Sequence, residues 1–224
     1  MKKPVIAIDG YSSTGKSSIS KIIARKLGII HMDTGALYRG VTWFALQNCI
    51  GDDGSIDLDG LFSSFNEIGL EFRNSGGELV LFLNHIDISK SIRTNEVSDN
   101  VSFIAKQKEV RDFLLQSQRS QAEKSGIIMD GRDIGTVVLP DADYKFFLTA
   151  SIDERTRRRY QELLSLGIEA NEQQVKENLI ERDRIDSERE IAPLKQADDA
   201  IVIDNTSLNK QETIDAILSH IEKI

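Results

Sequence analysis

Short, unbroken apolar runs alternate along this chain with stretches in which apolar residues return every three or four positions. Val5-Ile6-Ala7-Ile8 is such a run. With no polar alternation it reads as a strand buried on both faces, as in a parallel sheet. After a break from Gly10 to Gly15, Ile19, Ile22, Ile23 and Leu27 recur at helical spacing, and Gly28 is placed to close that helix. Ile29 to Met32 predicts a second buried strand, ended by Asp33. Ile127-Ile128-Met129, Phe146-Phe147-Leu148 and Ala200-Ile201-Val202-Ile203 predict three more. Between them lie helical patterns carrying Val110, Phe113 and Leu114, and then Leu163, Leu164 and Leu166. A last helix places Ile214, Ile217, Leu218 and Ile221 on one stripe, with Asn209 and Glu212 as its caps. Ser151 with Glu154 has the same capping signature. Alternating strands and helices predict an α/β fold with an open parallel sheet and right-handed crossovers.

Residues 57–103 depart from this rhythm. Ile68 to Arg73 and Leu79 to Leu83 are strand-like runs around Asn74-Ser75-Gly76-Gly77, a hairpin signal, and a hairpin is antiparallel. An inserted subdomain at 57–103 is therefore expected within a core made of 1–56 and 104–224. The charge-dense stretch 153–190 predicts two exposed helices joined near Gly167.

Composition narrows the classes. The chain has 224 residues, 40% of them hydrophobic, enough for a real core. A net charge of −8 argues against a protein that coats nucleic acid, which relies on excess Lys and Arg. Any anion must be caught locally. The single cysteine, Cys49, excludes an internal disulfide and a thiolate-rich zinc site, and reads as a free thiol in a reducing compartment. The apolar run after Met1-Lys2-Lys3-Pro4 stops at Asp9, too short for a signal peptide, and no stretch is long enough to span a bilayer. A cytoplasmic protein is expected.

Gly10-Tyr11-Ser12-Ser13-Thr14-Gly15-Lys16-Ser17 matches G-x-x-x-x-G-K-[ST] at every fixed position, between a buried strand and an amphipathic helix. Glycines let successive N–H groups converge on one anion, and the helix N-terminus adds positive potential. Lys16 is placed to bridge β- and γ-phosphates, and the Ser17 hydroxyl to ligate magnesium. The expected ligand is a nucleoside triphosphate, with ATP as the default. A GTPase is disfavoured. Asn209-Lys210-Gln211-Glu212 ends in Glu where a guanine-reading motif has Asp, and Asp57-Leu58-Asp59-Gly60 lies in the irregular segment rather than at the end of a buried strand.

A phosphoryl acceptor needs a second anion site. Asp33-Thr34-Gly35-Ala36-Leu37-Tyr38-Arg39 begins where the second strand ends, the usual ligand edge of an open α/β sheet. Thr34 and Arg39 there suit an acceptor phosphate, although the same spacing suits a helix cap with Arg39 in solvent. Asp130-Gly131-Arg132-Asp133 ends another strand, and either polar recognition or an ordinary charged turn fits it. Arg182, Asp186 and Arg189 share one helix face, and Arg155, Arg158 and Arg159 cluster on another. Together these helices suit a lid whose guanidinium groups grip phosphate. His31, His85 and His220 lie in unrelated contexts and read as packing or surface residues, so no general base stands out.

These motifs, in this order, resemble the bacterial cytidylate kinase family essentially end to end. The resemblance is carried by Ile8-Asp9-Gly10 with the phosphate loop, Asp33 to Arg39, Ile92 to Val97, Val110-Arg111 and Asp130 to Val138. Pro140-Asp141-Ala142, Glu181-Arg182-Asp183, Asp186 to Arg189, Ala192-Pro193-Leu194 and Ala197 to Ala200 complete it. It implies a P-loop nucleoside monophosphate kinase with an inserted antiparallel monophosphate-binding subdomain and a helical lid, acting on ATP, with Mg2+, and on CMP or dCMP. ATP contacts are then implied for Gly10, Tyr11, Ser12, Ser13, Thr14, Gly15, Lys16, Ser17 and Ser18. Thr34, Arg39, Arg111 and Arg182 are similar in position to phosphate or nucleotide contacts, and Ser102 and Arg132 to pyrimidine contacts, with Asp133 beside them. Asp186 matches a sugar-hydroxyl contact, Arg189 lies beside the phosphates and Arg158 matches a lid arginine. Lys16, Arg158 and Arg182 are the implied catalytic set. With the charge and hydropathy above, a monomer with no nucleic-acid or membrane partner is expected. Members often carry Gly-Thr after the loop lysine; Ser17-Ser18 here keeps a hydroxyl.

Overall fold

A computed structural model describes residues 3–75, 78–124 and 126–221. Met1, Lys2 and the Gly76-Gly77 centre of the expected hairpin turn lie outside the described residues. The chain forms two compact units, one made of 1–32 with 121–224 and the other of 33–120.

The first unit is built on a five-stranded sheet of order β2-β6-β1-β7-β8. Its strands are β1 (Val5–Gly10), β2 (Ile30–Asp33), β6 (Ile127–Gly131), β7 (Tyr144–Thr149) and β8 (Ile201–Asp204). β1 runs parallel to both β6 and β7, and β7 parallel to β8. The central strands bury Ile6, Ile8, Ile128, Phe146 and Leu148 against Ile19 and Ile23 of α1 (Lys16–Leu27) and Ile214 and Ile217 of α8 (Lys210–Ser219). The expectation of burial on both faces holds for β1 and β6 but not at 29–32. β2 is a sheet edge, and Ile30 is 38% exposed.

Register levels the carboxyl ends of the strands. Ile8 lies opposite Asp130, Gly10 opposite Leu148 and Thr149 opposite Asp204. The segments that follow these strands therefore gather along one edge, where ligands of open α/β sheets bind. At Gly10 the register demands glycine: φ is +143°, and a Cβ would sit 2.0 Å from the Leu148 carbonyl oxygen. Local signals set the helix ends. Gly28 closes α1 in the left-handed conformation (φ 62°), and Asn209 with Glu212 forms a reciprocal capping box on α8. That cap is the use found for the Asn-Lys-Gln-Glu segment. After β6, residues Ile134–Val138 make a π-helical turn that no sequence signal anticipated.

The charge-dense stretch forms α6 (Ile152–Ser165) and α7 (Glu172–Glu188), with Ser151 capping α6 through its contact with the Glu154 N–H. These helices share a small core of Leu163, Val175 and Leu179. Leu164 and Leu166, grouped with Leu163 by spacing, are instead 49% and 59% exposed.

The second unit holds α2 (Thr34–Asn48), α3 (Leu58–Ser63), the antiparallel sheet β3 (Leu70–Ser75), β4 (Glu78–Leu83) and β5 (Ile86–Asp87), then α4 (Asn95–Ala105) and most of α5 (Lys108–Lys124). The hairpin lies against α2 at Gly40, where a Cβ would meet Leu70 at 2.9 Å. Asp57 caps α3, which accounts for the Asp-Leu-Asp-Gly segment. Cys49 is a buried free thiol.

Candidate functional site

The loop leaving β1 reaches α1 through Ser13 and Gly15, both at positive φ (61° and 86°). Lys16 begins the helix, with its side chain turned back over the loop. Its Nζ donates to the carbonyl oxygens of Gly10 at 2.7 Å and Tyr11 at 2.6 Å. The residue is 6% exposed. Burial holds its ammonium well below the usual lysine range, and repulsion from Arg132 adds to this, while Asp130, Asp9 and Asp186 oppose it. Ser17 and Ser18 continue the first helical turn.

Asp130-Gly131-Arg132-Asp133 leaves β6 beside this loop. Arg132 Nη2 donates to Ser12 Oγ at 2.6 Å, and Nε donates to Asp186 Oδ2 on α7 at 2.9 Å. Burial works against the Arg132 charge, but Asp186, Asp183 and Asp130 outweigh it and raise its pKa. Burial likewise opposes ionisation of Asp186, yet Arg132, Arg189 and Arg182 hold its carboxyl below the usual range. Arg189 reaches Asp133 at 3.3 Å and Asp186 at 3.9 Å. The first unit thus gathers buried Lys16, Asp133, Asp186 and Arg189 around half-buried Arg132, with half-buried Arg182 one turn before Asp186. Desolvating so many charges is costly, and such clusters mark functional sites.

Arg158 is tied down rather than extended. It donates to Glu154 at 2.8 Å and, through two nitrogens, to the Asn205 side-chain and backbone oxygens at 3.0 and 2.7 Å.

Four residues to which the motifs assigned no individual site role belong to this region: Arg155, which entered only within an arginine cluster, Asn205, Asp9 and His31. Arg155 pairs with Asp183 at 2.6 Å, and its Cζ lies 5.1 Å from the Tyr11 ring centroid. Asn205 contacts the loop backbone at Thr14. Asp9 accepts from the Ile134 and Gly135 N–H groups at 2.8 and 2.7 Å, anchoring the π-helical turn, and burial pushes its carboxyl up to about 6. His31 is not a bystander, since its Nε2 lies 2.6 Å from Asp130 Oδ1. Their sequence signal was position alone, because Asp9, Asp130 and Asn205 sit at or just past the carboxyl ends of strands.

In the second unit, Asp33 caps α2 through the Ala36 N–H and pairs with Arg39 at 2.7 Å. The cap and the cation are therefore joined, where the sequence left them as alternatives. Thr34 (2% exposed) and Ser102 (4%) are buried on α2 and α4. Arg111 of α5 stacks over the Tyr38 ring at 5.3 Å and donates to the Ala105 carbonyl at 3.1 Å.

A parallel sheet whose first strand opens into a glycine-rich loop, with a lysine folded over that loop and buried arginines beside it, defines a P-loop nucleotide-binding protein. The chain belongs to the cytidylate kinase family: the family model described as Cytidylate kinase matches residues 6–223. It is 46% identical to a cytidylate kinase of Streptococcus pneumoniae over 100% of this chain and 99% of that one. It is 43% identical to a cytidylate kinase of Bacillus cereus over 97% of this chain and 96% of the relative. Among solved structures, an uncharacterized protein from Eubacterium ventriosum shares the fold, with TM-score 0.53 and 16% identity over 99% of both chains.

Proposed function

We propose that the protein transfers the γ-phosphoryl group of ATP to CMP or dCMP, giving ADP and CDP or dCDP. The observation that carries this reading is the end-to-end match to proteins named cytidylate kinase. The intact phosphate loop with Lys16 supports the chemistry. An oxygen of the CMP phosphate attacks the γ-phosphorus, the bond from that phosphorus to the bridging oxygen of ADP breaks, and ADP departs. The acceptor is already an anion, so the absence of a general base from the sequence motifs suits the reaction.

Residues Gly10 to Ser18 are assigned to ATP, with Lys16 on the transferring group. Thr34, Arg39, Ser102, Arg111, Arg132, Asp133, Arg182, Asp186 and Arg189 are assigned to CMP, and Arg158 and Arg182 to neutralising charge in the transition state. The helices of 153–190 act as a lid that excludes water. Among the described residues no group of three or more His, Cys, Asp or Glu is arranged to hold a metal ion. Magnesium keeps most of its waters and binds largely through substrate phosphates, so one hydroxyl donor suits it. Ser17 would hold it, and it would offset charge on the β- and γ-phosphates. Among the same residues no helix is long and apolar enough to cross a membrane. A monomer working in the cytoplasm completes the reading.

Incubating the protein with Mg–ATP and, in turn, CMP, dCMP, UMP and AMP, then separating the nucleotides, tests it. CDP or dCDP should appear in step with ADP. ADP release without a pyrimidine diphosphate, or turnover with AMP alone, overturns the proposal.

A further inference from the structure

Asn205 follows β8 at the carboxyl edge of the sheet and is 1% exposed. Its backbone N–H donates to the Thr149 carbonyl at 2.9 Å, which pins it to the end of β7. Its side chain uses both ends of the amide. Nδ2 donates to the Thr14 carbonyl at 2.9 Å, and Oδ1 accepts from Arg158 Nη1 at 3.0 Å. The Asn205 backbone carbonyl accepts from Arg158 Nη2 at 2.7 Å. The partners fix the orientation of the amide: a carbonyl requires the NH2 end, and a guanidinium requires the oxygen.

The consequence lies in the loop. A trans peptide holds its C=O and the next N–H on opposite sides. With the Thr14 carbonyl held by Asn205, the Gly15 N–H is turned the other way, as a loop that converges its amides on phosphate requires. The same side chain fixes the guanidinium of Arg158, which also donates to Glu154 at 2.8 Å, to the Leu208 carbonyl at 3.4 Å and to the same Thr14 carbonyl at 3.5 Å.

We infer that Asn205 is a positioning residue for the donor nucleotide, holding the phosphate loop and Arg158 in one frame so that neither is oriented without the other. This rests on reading the loop as the ATP site. Asn and Asp are nearly isosteric, and the contrast between them separates the two contacts. Asn205→Asp keeps an acceptor for Arg158 but sets an oxygen against the Thr14 carbonyl, whereas Asn205→Leu removes both side-chain contacts and leaves Arg158 the backbone carbonyl of residue 205.

The test combines calorimetric binding of ATP without acceptor, steady-state kinetics and thermal melting. Wild-type protein should bind ATP and turn over. Asn205→Asp should bind ATP about tenfold more weakly, with a matching rise in the ATP KM and less than a twofold change in the CMP KM. Asn205→Leu should also lower kcat, and the losses from Asn205→Leu and Arg158→Gln should combine to less than their sum, since the two side chains share one hydrogen bond. If Asn205→Leu does not fold, the Asp variant decides alone. Equal weakening toward ATP and CMP, or a lower melting temperature with unchanged ATP affinity, overturns the inference. Failure of the wild-type protein to bind ATP instead overturns the reading of the loop.

Discussion

Arg132 and Ser12 are joined by a hydrogen bond of 2.6 Å from a guanidinium nitrogen to the loop hydroxyl, while the same guanidinium holds Asp186 at 2.9 Å. One side chain thus ties the phosphate loop to α7. Removing it strands a buried carboxylate that keeps Arg189, at 3.9 Å, and the charge of Arg182. Breaking a buried pair from one side costs about 3 kcal/mol or more. Arg132→Ala should lower unfolding stability by about that amount in urea titrations. Arg132→Lys should recover part of it, because a lysine restores the charge but not the two-sided fork. A loss below about 1 kcal/mol for Arg132→Ala would mean that the pair contributes little to stability.

Lys16→Met separates stability from activity. The ammonium is buried and held well below its usual range by desolvation and by Arg132, so the fold gains little from it. Its bonds to the Gly10 and Tyr11 carbonyls are lost, but so is the cost of burying charge. The melting temperature should stay within about 3 °C of wild type. Turnover should fall by roughly 10² to 10³, the usual effect of losing one donor to transition-state charge. Near-normal kcat in the variant would remove Lys16 from the mechanism.

The sheet and the phosphate loop were legible in the sequence because strict local rules govern them. Continuous apolar runs give Ile6, Ile8 and Ile128 their place, and the Gly-Lys-Ser spacing encodes a loop that few other folds use. Edge position was not legible: Ile29 to Met32 looks like any buried run, but β2 has a neighbour on one side only, so Ile30 meets solvent. The charge network was legible as a set of arginines and aspartates, not as pairs. Which carboxylate meets Arg132 depends on the packing of α7, and no spacing rule links residues 54 positions apart. Asn205 lies 191 positions from its partner Thr14 and belongs to no motif.

Gly10 and Gly15 both bear positive φ, yet alanine should affect them very differently. At Gly15 (φ 86°) the nearest atom to an added Cβ is Ile19 Cδ1 at 3.4 Å, an ordinary contact. The cost there is backbone strain of about 1–2 kcal/mol. At Gly10 the Cβ would lie 2.0 Å from the backbone oxygen of Leu148, which cannot give way without moving a central strand. Gly10→Ala should exceed about 4 kcal/mol and yield little folded protein. Denaturant titration of both variants, with soluble yield as a second readout, checks the ranking; similar losses would show that β7 yields more easily than its central place implies.

Asp9 makes a pH signature that can be isolated. Burial pushes its carboxyl up to about 6 in spite of the two N–H groups it accepts from. In the unfolded chain the group titrates near 3.9. Between these values the folded protein binds more protons than the unfolded one, so this contribution to stability falls as pH rises from about 4 to 6 and is level above. The total change is about 3 kcal/mol. Asp9→Asn removes the titration. Its amide offers one oxygen to the Ile134 and Gly135 N–H groups, so the variant also carries a pH-independent loss of about 1–3 kcal/mol. Unfolding free energies of both proteins, measured from pH 4 to 8 and subtracted, cancel the other titrating groups. The wild-type advantage should be largest near pH 4, shrink through pH 6 and then hold constant; a flat difference would show that Asp9 titrates as an ordinary carboxylate.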